Sequence, residues 1–328
     1  MSIVVPTPTY KKETRRMIVV TTPNGNIGKH VLRRLIEAGE SVRAVSHRPE
    51  RIPADLRERC EIVPGFLNDA DALTHGFAGA NAVFWCVPQS NEWEDGDAYY
   101  GAFTNAAVRA LAANGSTARV VAVGGGGYGA QNAGFMSLLT RAEDGLNAAG
   151  VSARHLRCGY FMENLFWFLE TIKAQGAIYQ PFAADVPIPW VAARDIAAVA
   201  VRCLRDTTWD GQSAIPVVGA ADVTMNEAAT ILSDVLGKPV RYHQASDAQT
   251  EAVLLGIGSA PGFIGSYLEY ARAVSGGAFA LDARTADGTT ATTLREWAAS
   301  NLLPALGGSG NGAGRFQSAA AYAAVISK

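Results

Sequence analysis

From residue 17 to residue 158 the apolar positions switch between two rhythms. Residues 17–22 (MIVVTT) form a short, nearly continuous apolar run rich in β-branched side chains, as a buried strand requires. Over 26–38, Ile27, Val31 and Leu35 recur with Leu32 and Ile36 on the same stripe, which predicts a helix. Gly39 follows where a left-handed C-terminal residue is expected. The alternation continues with strands over 41–45, 60–63, 82–85, 118–123 and 152–157, and helices over 69–75, 96–113 and 135–149. Strands separated by helices are crossover units, and right-handed crossovers build a doubly wound parallel sheet.

Beyond residue 158 the rhythm loosens. Helices are expected near 163–173, 193–204, 226–236, 246–255, 262–274 and 291–302, with short strands near 215–218 and 240–242. The predicted architecture is α/β, with a doubly wound parallel sheet over residues 17–158 and a second part over 159–305 that packs on the first. A polar lead-in at 1–16 and a glycine-rich tail at 306–328, containing GGSGNGAG, read as flexible ends.

The chain has 328 residues, 48% hydrophobic and 18% charged, with 28 Lys+Arg against 30 Asp+Glu. A net charge of −2 offers no electrostatic footprint for nucleic acid. No apolar run has the length of a membrane span. The first residues lack the order of a secretory signal, and the four cysteines show neither disulfide nor zinc spacing, so a cytoplasmic protein with reduced thiols is expected. The five scattered histidines predict no metal site. The expected partner is a small-molecule substrate, with a homodimer as a possible assembly.

The segment Thr22-Pro23-Asn24-Gly25-Asn26-Ile27-Gly28 leaves the first strand and enters the first helix, the context of a phosphate-binding turn. Gly25 allows close approach of a pyrophosphate, and Gly28 allows the helix to pack on the sheet. Thr22 stands where such a turn usually has its first glycine. A β-branched residue resists positive φ, so the turn is expected to follow a different path or bind less tightly. At the end of the second strand no carboxylate is available for a ribose 2′-hydroxyl. Ser46 and Arg48 suit a 2′-phosphate instead, which favours NADP over NAD.

The blocks VVTTPNGNIGKHVLRRLIEAGESVRAVSHRPER, GFLNDADALTHGFAGANAVFWCVP and RAEDGLNAAGVSARHLRCGYFMENLF resemble NmrA-like proteins, atypical members of the short-chain dehydrogenase/reductase superfamily. The likeness extends through VAARDIAAVAVRCL and LGKPVRY, roughly residues 17–305. It implies a Rossmann-type fold that prefers NADP(H), with residues 17–158 as the dinucleotide-binding domain and 159–305 as a smaller C-terminal α/β substrate and lid region that interleaves with the sheet. It places Thr22 to Gly28 and Arg48 at the phosphates, and Asn68 near the adenine. Val87, Pro88 and Gln89 line the ribose side, with Gly124 at the end of the fifth strand. Tyr160, Phe161, Met162 and Glu163 pass under the nicotinamide.

Conventional members of the superfamily carry Tyr and Lys four residues apart on the helix after the fifth strand. Here Phe135 and Leu139 align with those positions, and neither transfers a proton. Tyr128, in the glycine run 124–129, and Tyr160 are the candidate catalytic residues. Tyr128, Tyr160, Trp85 and Gln89 are expected to hold the substrate, and Asp195 is expected to cap a helix. The resulting reading is an NADPH-dependent reductase of a small planar apolar acceptor, quinone-like, iminium or conjugated. A non-redox isomerase, cyclase or lyase, or an NADP-sensing regulator, remain alternatives on the same fold.

Overall fold

The computed structural model describes residues 16–307. Residues 1–15 and 308–328, most of the lead-in (1–16) and the tail (306–328), lie outside the described residues; Arg16 donates to the carbonyls of Leu204 and Arg205, and residues 306–307 end a helical turn, Leu303–Gly307. Strands β1 (Met17–Thr21), β2 (Ser41–Ser46), β3 (Glu61–Pro64), β4 (Ala82–Trp85), β5 (Arg119–Gly125) and β6 (Ala153–Cys158) are connected through helices α1 (Gly28–Glu37), α2 (Ala54–Arg57), α3 (Ala70–Phe77), α4 (Gly96–Ala113) and α5 (Phe135–Ala148). The chain continues through β7 (Tyr160–Phe161), α6 (Leu169–Gln175), β8 (Ala177–Gln180), β9 (Ile188–Val191), α7 (Ala193–Arg205) and β10 (Gln212–Val217). It then forms β11 (Asp222–Val223), α8 (Met225–Leu236), β12 (Arg241–Gln244), α9 (Asp247–Gly256), α10 (Pro261–Ser275) and α11 (Leu294–Trp297). Among the described residues, no helix is long and apolar enough to cross a membrane.

The central sheet has seven strands in the order β10-β6-β5-β4-β1-β2-β3, and every pairing is parallel. Side-chain alternation divides it between two cores. Ile18, Val20, Phe84 and Leu156 face α1 and α7, while Val19, Val83, Trp85 and Val120 face α3, α4 and α5. Both faces are therefore dry, which is why these strands read as continuous apolar runs. The seventh strand, β10, comes from the C-terminal half and pairs with β6 from Ala153↔Gln212 to Cys158↔Val217. A third core, containing Tyr160, Phe182, Trp190 and Trp297, fills the C-terminal region.

Four local expectations are corrected. The stretch 163–173 is not one helix: Met162–Phe168 is a tighter 3-10 turn that leads into α6, and Gly176, at φ +63°, ends it. β8 and β9 were not expected from the sequence. They pair with β12 and with β7 and β11, in small sheets that only tertiary contact creates. Trp85 does not face the cleft: it is 3% exposed and packs edge-on against Phe77. Asp195 is not the N-cap of α7. That position is Ala192, and Asp195 lies within the first turn.

Candidate active site

The carboxyl ends of β1, β2, β4 and β5 meet above the start of α1. Thr21 Oγ1 donates to Phe84 O at 2.8 Å and accepts from Cys86 N at 3.1 Å, tying the end of β1 to that of β4. Thr22 then takes φ +48°, so the turn follows the glycine-type path despite its β-branched residue. Such strain costs about 1–3 kcal/mol and persists where the surroundings over-determine it. The surroundings here are tight. A Cβ on Gly28 would lie 2.1 Å from Thr22 O, and one on Gly25 would lie 3.2 Å from the same oxygen. Ile27, the N-cap of α1, provides no side-chain cap bond, while Lys29 N donates to Gly25 O at 3.2 Å and His30 N to Ile27 O at 2.9 Å, so an anion here would be met by the turn that enters the helix and by the helix dipole. The buried Thr22 Oγ1 has no hydrogen-bond partner among the described residues. A cradle that a single methyl group would fill, with a spare hydroxyl beside it, fits a pyrophosphate.

Asn24 bridges this turn to the end of β2. Its Nδ2 donates to Ser46 Oγ at 3.2 Å and to Arg48 O at 3.1 Å, and Arg48 N donates to Ser46 Oγ at 3.1 Å. The backbone of Arg48 is thereby fixed while its guanidinium stays at the surface. Beside it, the exposed Phe66 stacks on His47 with ring centroids 5.0 Å apart. Asn68 is exposed two residues further on. Sequence reasoning passed over Phe66. An aromatic between a strand and a capped helix was the available signal, and its 61% exposure gives it weight.

After β4, Tyr99 donates to Pro88 O at 2.8 Å and Tyr100 to Gln89 Oε1 at 3.2 Å, so α4 fixes the 87–89 loop. Val87 is buried and Gln89 is exposed. Burial pushes the Cys86 thiol up to about 11, which removes it as a nucleophile. Leu139 lies against the end of β5, where a Cβ on Gly125 would meet its Cδ1 at 2.8 Å. Gly124 and Leu139 also line a void of about 20 Å³ with Glu143 and His155.

The glycine run after β5 is pinned from below. Asp282 Oδ2 accepts from Gly127 N at 2.6 Å and Tyr128 N at 3.1 Å. Its Oδ1 accepts from Arg157 at 3.2 Å, and Arg157 also donates to Glu143 at 2.7 Å. The Tyr128 ring stacks over the Arg157 guanidinium at 3.6 Å, and its hydroxyl donates to Asp144 at 2.7 Å. That bond raises the phenol pKa. The proton of Tyr128 is thus held by a carboxylate on α5, which makes this residue a poor acid.

Tyr160, Phe161, Met162 and Glu163 separate rather than acting as a group. Phe161 is partly buried and packs against the core that lies between the sheet, α1 and α7. Tyr160 is 5% exposed and Met162 is 1% exposed, both within the C-terminal core. Glu163 accepts from Ala193 N at 3.1 and 3.0 Å and from Trp297 Nε1 at 3.1 Å, so it supplies the cap that α7 lacks from its own sequence. Burial raises its pKa. A carboxyl raised on folding stabilises below its unfolded pKa, and that contribution is lost as pH climbs through the folded value. Glu163→Gln keeps an acceptor for both donors and removes the buried charge. Its melting temperature should equal or exceed that of the unmodified chain at about pH 8, with the gap narrowing at about pH 4. A drop of several degrees at the higher pH in thermal denaturation would mean that the charge itself holds α7.

Phe135 opens onto an aromatic wall. Its ring lies 6.0 Å from Trp93, 5.1 Å from Phe263, 6.1 Å from Tyr267 and 5.8 Å from Tyr270. Tyr270 reaches Phe182, and Phe182 reaches Tyr160. Within this wall Gln180, 5% exposed, accepts from the Tyr267 hydroxyl through Oε1 and donates through Nε2 to the Tyr160 hydroxyl at 3.1 Å. The indole Nε1 of Trp93 is buried without a hydrogen-bond partner among the described residues.

A parallel sheet centred on β1, with an anion cradle at its first crossover, defines a Rossmann-type dinucleotide fold. The NmrA-like family matches residues 14–297, and the chain belongs to that family. A (4-alkanoyl-5-oxo-2,5-dihydrofuran-3-yl)methyl phosphate reductase from Streptomyces griseus is 31% identical over 243 residues, 73% of this chain and 80% of that protein. An NAD(P)H azoreductase from Xenophilus azovorans is 27% identical over 242 residues, 74% and 82% of the two chains. Among solved structures, an NADPH-dependent quinone oxidoreductase from Escherichia coli superposes with a TM-score of 0.74 at 21% identity, covering 87% of this chain and 99% of that one.

Proposed function

We propose that the chain is an NADPH-dependent reductase of a small, planar, largely apolar acceptor of the quinone, azo, iminium or conjugated-carbonyl type. The observation that carries this is the junction of the Gly25–Gly28 cradle with Arg48 and Ser46; an aromatic cluster around Phe135, at the start of the helix after β5, supplies apolar surface for an acceptor. The relatives described above, reductases of a furanone phosphate and of azo compounds, support the same class of chemistry.

In this reading the turn entering α1 and the helix dipole hold the pyrophosphate, and Thr22 Oγ1 supplies a hydrogen bond. Arg48 pairs with the 2′-phosphate, while Phe66 and His47 offer a flat surface to the adenine. Bound there, NADPH supplies the hydride. The protein's part is to fix the acceptor against the aromatic wall and keep water out. Phe135 and Leu139 leave α5 without a proton donor, so acceptors that need little acid catalysis from that helix are favoured.

Calorimetric titration with NADPH and NADH tests the reading. Arg48→Asp should weaken NADPH relative to NADH by at least about tenfold, since a charge-assisted contact contributes about 1.5–3 kcal/mol. Failure of the unmodified chain to bind either nucleotide would end the reductase proposal. An unchanged preference in the variant would assign the 2′-phosphate to another residue.

A further inference from the structure

We infer that Asn24 decides the choice between NADPH and NADH, as a positioning residue that makes the Ser46 hydroxyl a committed donor to the 2′-phosphate. This rests on the reductase reading, which puts the adenosine ribose at the end of β2, and names the residue of the glycine turn through which that ribose is read.

Donors and acceptors at this corner can be counted without ambiguity. Asn24 Nδ2 donates to Arg48 O at 3.1 Å. A carbonyl oxygen only accepts, so the amide has one orientation, with its nitrogen toward the end of β2. The same nitrogen donates to Ser46 Oγ at 3.2 Å, and Arg48 N donates to that oxygen at 3.1 Å. A serine hydroxyl has two acceptor positions and one hydrogen. Both acceptor positions of Ser46 are filled by N–H groups, so its hydrogen is left to donate. Among the described residues no acceptor takes it, although Ser46 is only 5% exposed. A buried donor without an acceptor is costly, and a bound phosphate oxygen supplies one. A charged acceptor makes a bond roughly twice as strong as a neutral ribose hydroxyl does, which is where the preference arises.

The same amide sets the neighbouring cation. Arg48 O accepts from Arg51 N at 3.1 Å as well as from Asn24, while Arg48 N is held by Ser46. The Arg48 backbone is thus fixed on both sides, and its exposed side chain leaves from a set point beside the Ser46 hydroxyl. The neighbouring threonines of the turn serve other places. Thr21 Oγ1 is spent on Phe84 O and Cys86 N, at the end of β4. Thr22 Oγ1 would lie 3.9 Å from a Cβ on Gly25, inside the cradle for the pyrophosphate that both nucleotides share. Asn24 is the side chain that carries the turn across to β2.

The test titrates the full chain and the variants Asn24→Asp and Asn24→Ala with NADPH, NADH and adenosine 2′,5′-bisphosphate. Asn24→Asp exchanges one NH₂ group for oxygen. It removes both N–H donors, draws the Ser46 hydrogen to the new carboxylate and sets a negative charge beside the 2′-phosphate. NADPH and the bisphosphate should weaken by at least about thirtyfold, with NADH within about threefold of its original affinity. Asn24→Ala removes the donors without adding charge, and the NADPH-to-NADH preference should fall by about three- to tenfold. A residue that merely shaped the turn would weaken both nucleotides alike. Equal losses on NADPH and NADH in either variant, or an unchanged preference in Asn24→Asp, would overturn the assignment. An unmodified chain that binds none of the three ligands would overturn the reductase reading itself.

Discussion

Gly28→Ala should abolish nucleotide binding. The added methyl carbon would sit 2.1 Å from Thr22 O and 2.8 Å from Thr22 C, both backbone atoms with nowhere to yield. Relief requires α1 to lift from the sheet or the turn to open, and either movement dissolves the cradle. Overpacking of this kind costs about 1–3 kcal/mol, so the variant should still fold around its apolar stripe of Val31, Leu32, Leu35 and Ile36. Titration should show NADPH affinity reduced by more than about a hundredfold, equivalent to about 2.7 kcal/mol. Binding within a few-fold of the unmodified chain would move the phosphate site elsewhere.

Arg157→Ala should produce the largest loss of stability. Glu143 and Asp282 each have side chains only 7% exposed, and Arg157 is the cation between them. Removing one partner of a buried ion pair costs about 3–5 kcal/mol, because a charge is left in a dry site. Here two carboxylates lose their counterion together. Urea denaturation of the variant beside the unmodified chain measures the loss, and a deficit below about 1 kcal/mol would mean that the two carboxylates are held by something other than Arg157. Asp282 also holds Gly127 N and Tyr128 N, so the glycine run should loosen in the same variant.

The sheet was legible because its strands are buried on both faces and its helices carry regular stripes. Each of β1 to β6 lies within a few residues of the apolar run that announced it. The C-terminal region was less legible for physical reasons. β9 carries Pro189 and is only four residues long, so its pairing with β7 and β11 is imposed by neighbours rather than by its own pattern. The Met162–Phe168 turn is a tighter 3-10 coil whose consecutive Phe166, Trp167 and Phe168 all pack with one core, which no α-helical period describes.

Local rules of turn and strand end are what single out Gly25, Gly28 and Arg48 in the sequence, and the structure joins the turn to Arg48 through Asn24. Thr22 was misjudged because propensity argued against positive φ, whereas the contacts of Gly28 and the sheet enforce it. The aromatic cluster depended on long-range placement. Phe263 and Tyr267, one turn apart on α10, meet Phe135 at the start of α5. No spacing in the sequence joins α10 to α5. Glu163 was assigned to the nicotinamide through its neighbours in GYFMEN, yet its carboxylate is bound to Ala193 and Trp297. A capping role of that kind cannot be read without knowing where α7 begins.

The central claim is that a bound NADPH is oxidised by an acceptor held on the aromatic wall. An anaerobic single-turnover experiment tests it most directly. The chain is loaded with one equivalent of NADPH and mixed with excess methyl red or a simple benzoquinone, and the nicotinamide absorbance is followed beside the acceptor's own. The account expects the reduced nicotinamide to disappear in a single enzyme-dependent phase, mole for mole with acceptor reduced, and the phase to be absent in Gly28→Ala. Tight NADPH binding with an unchanged nicotinamide signal, while an added substrate is nonetheless converted or no acceptor reacts, would contradict it.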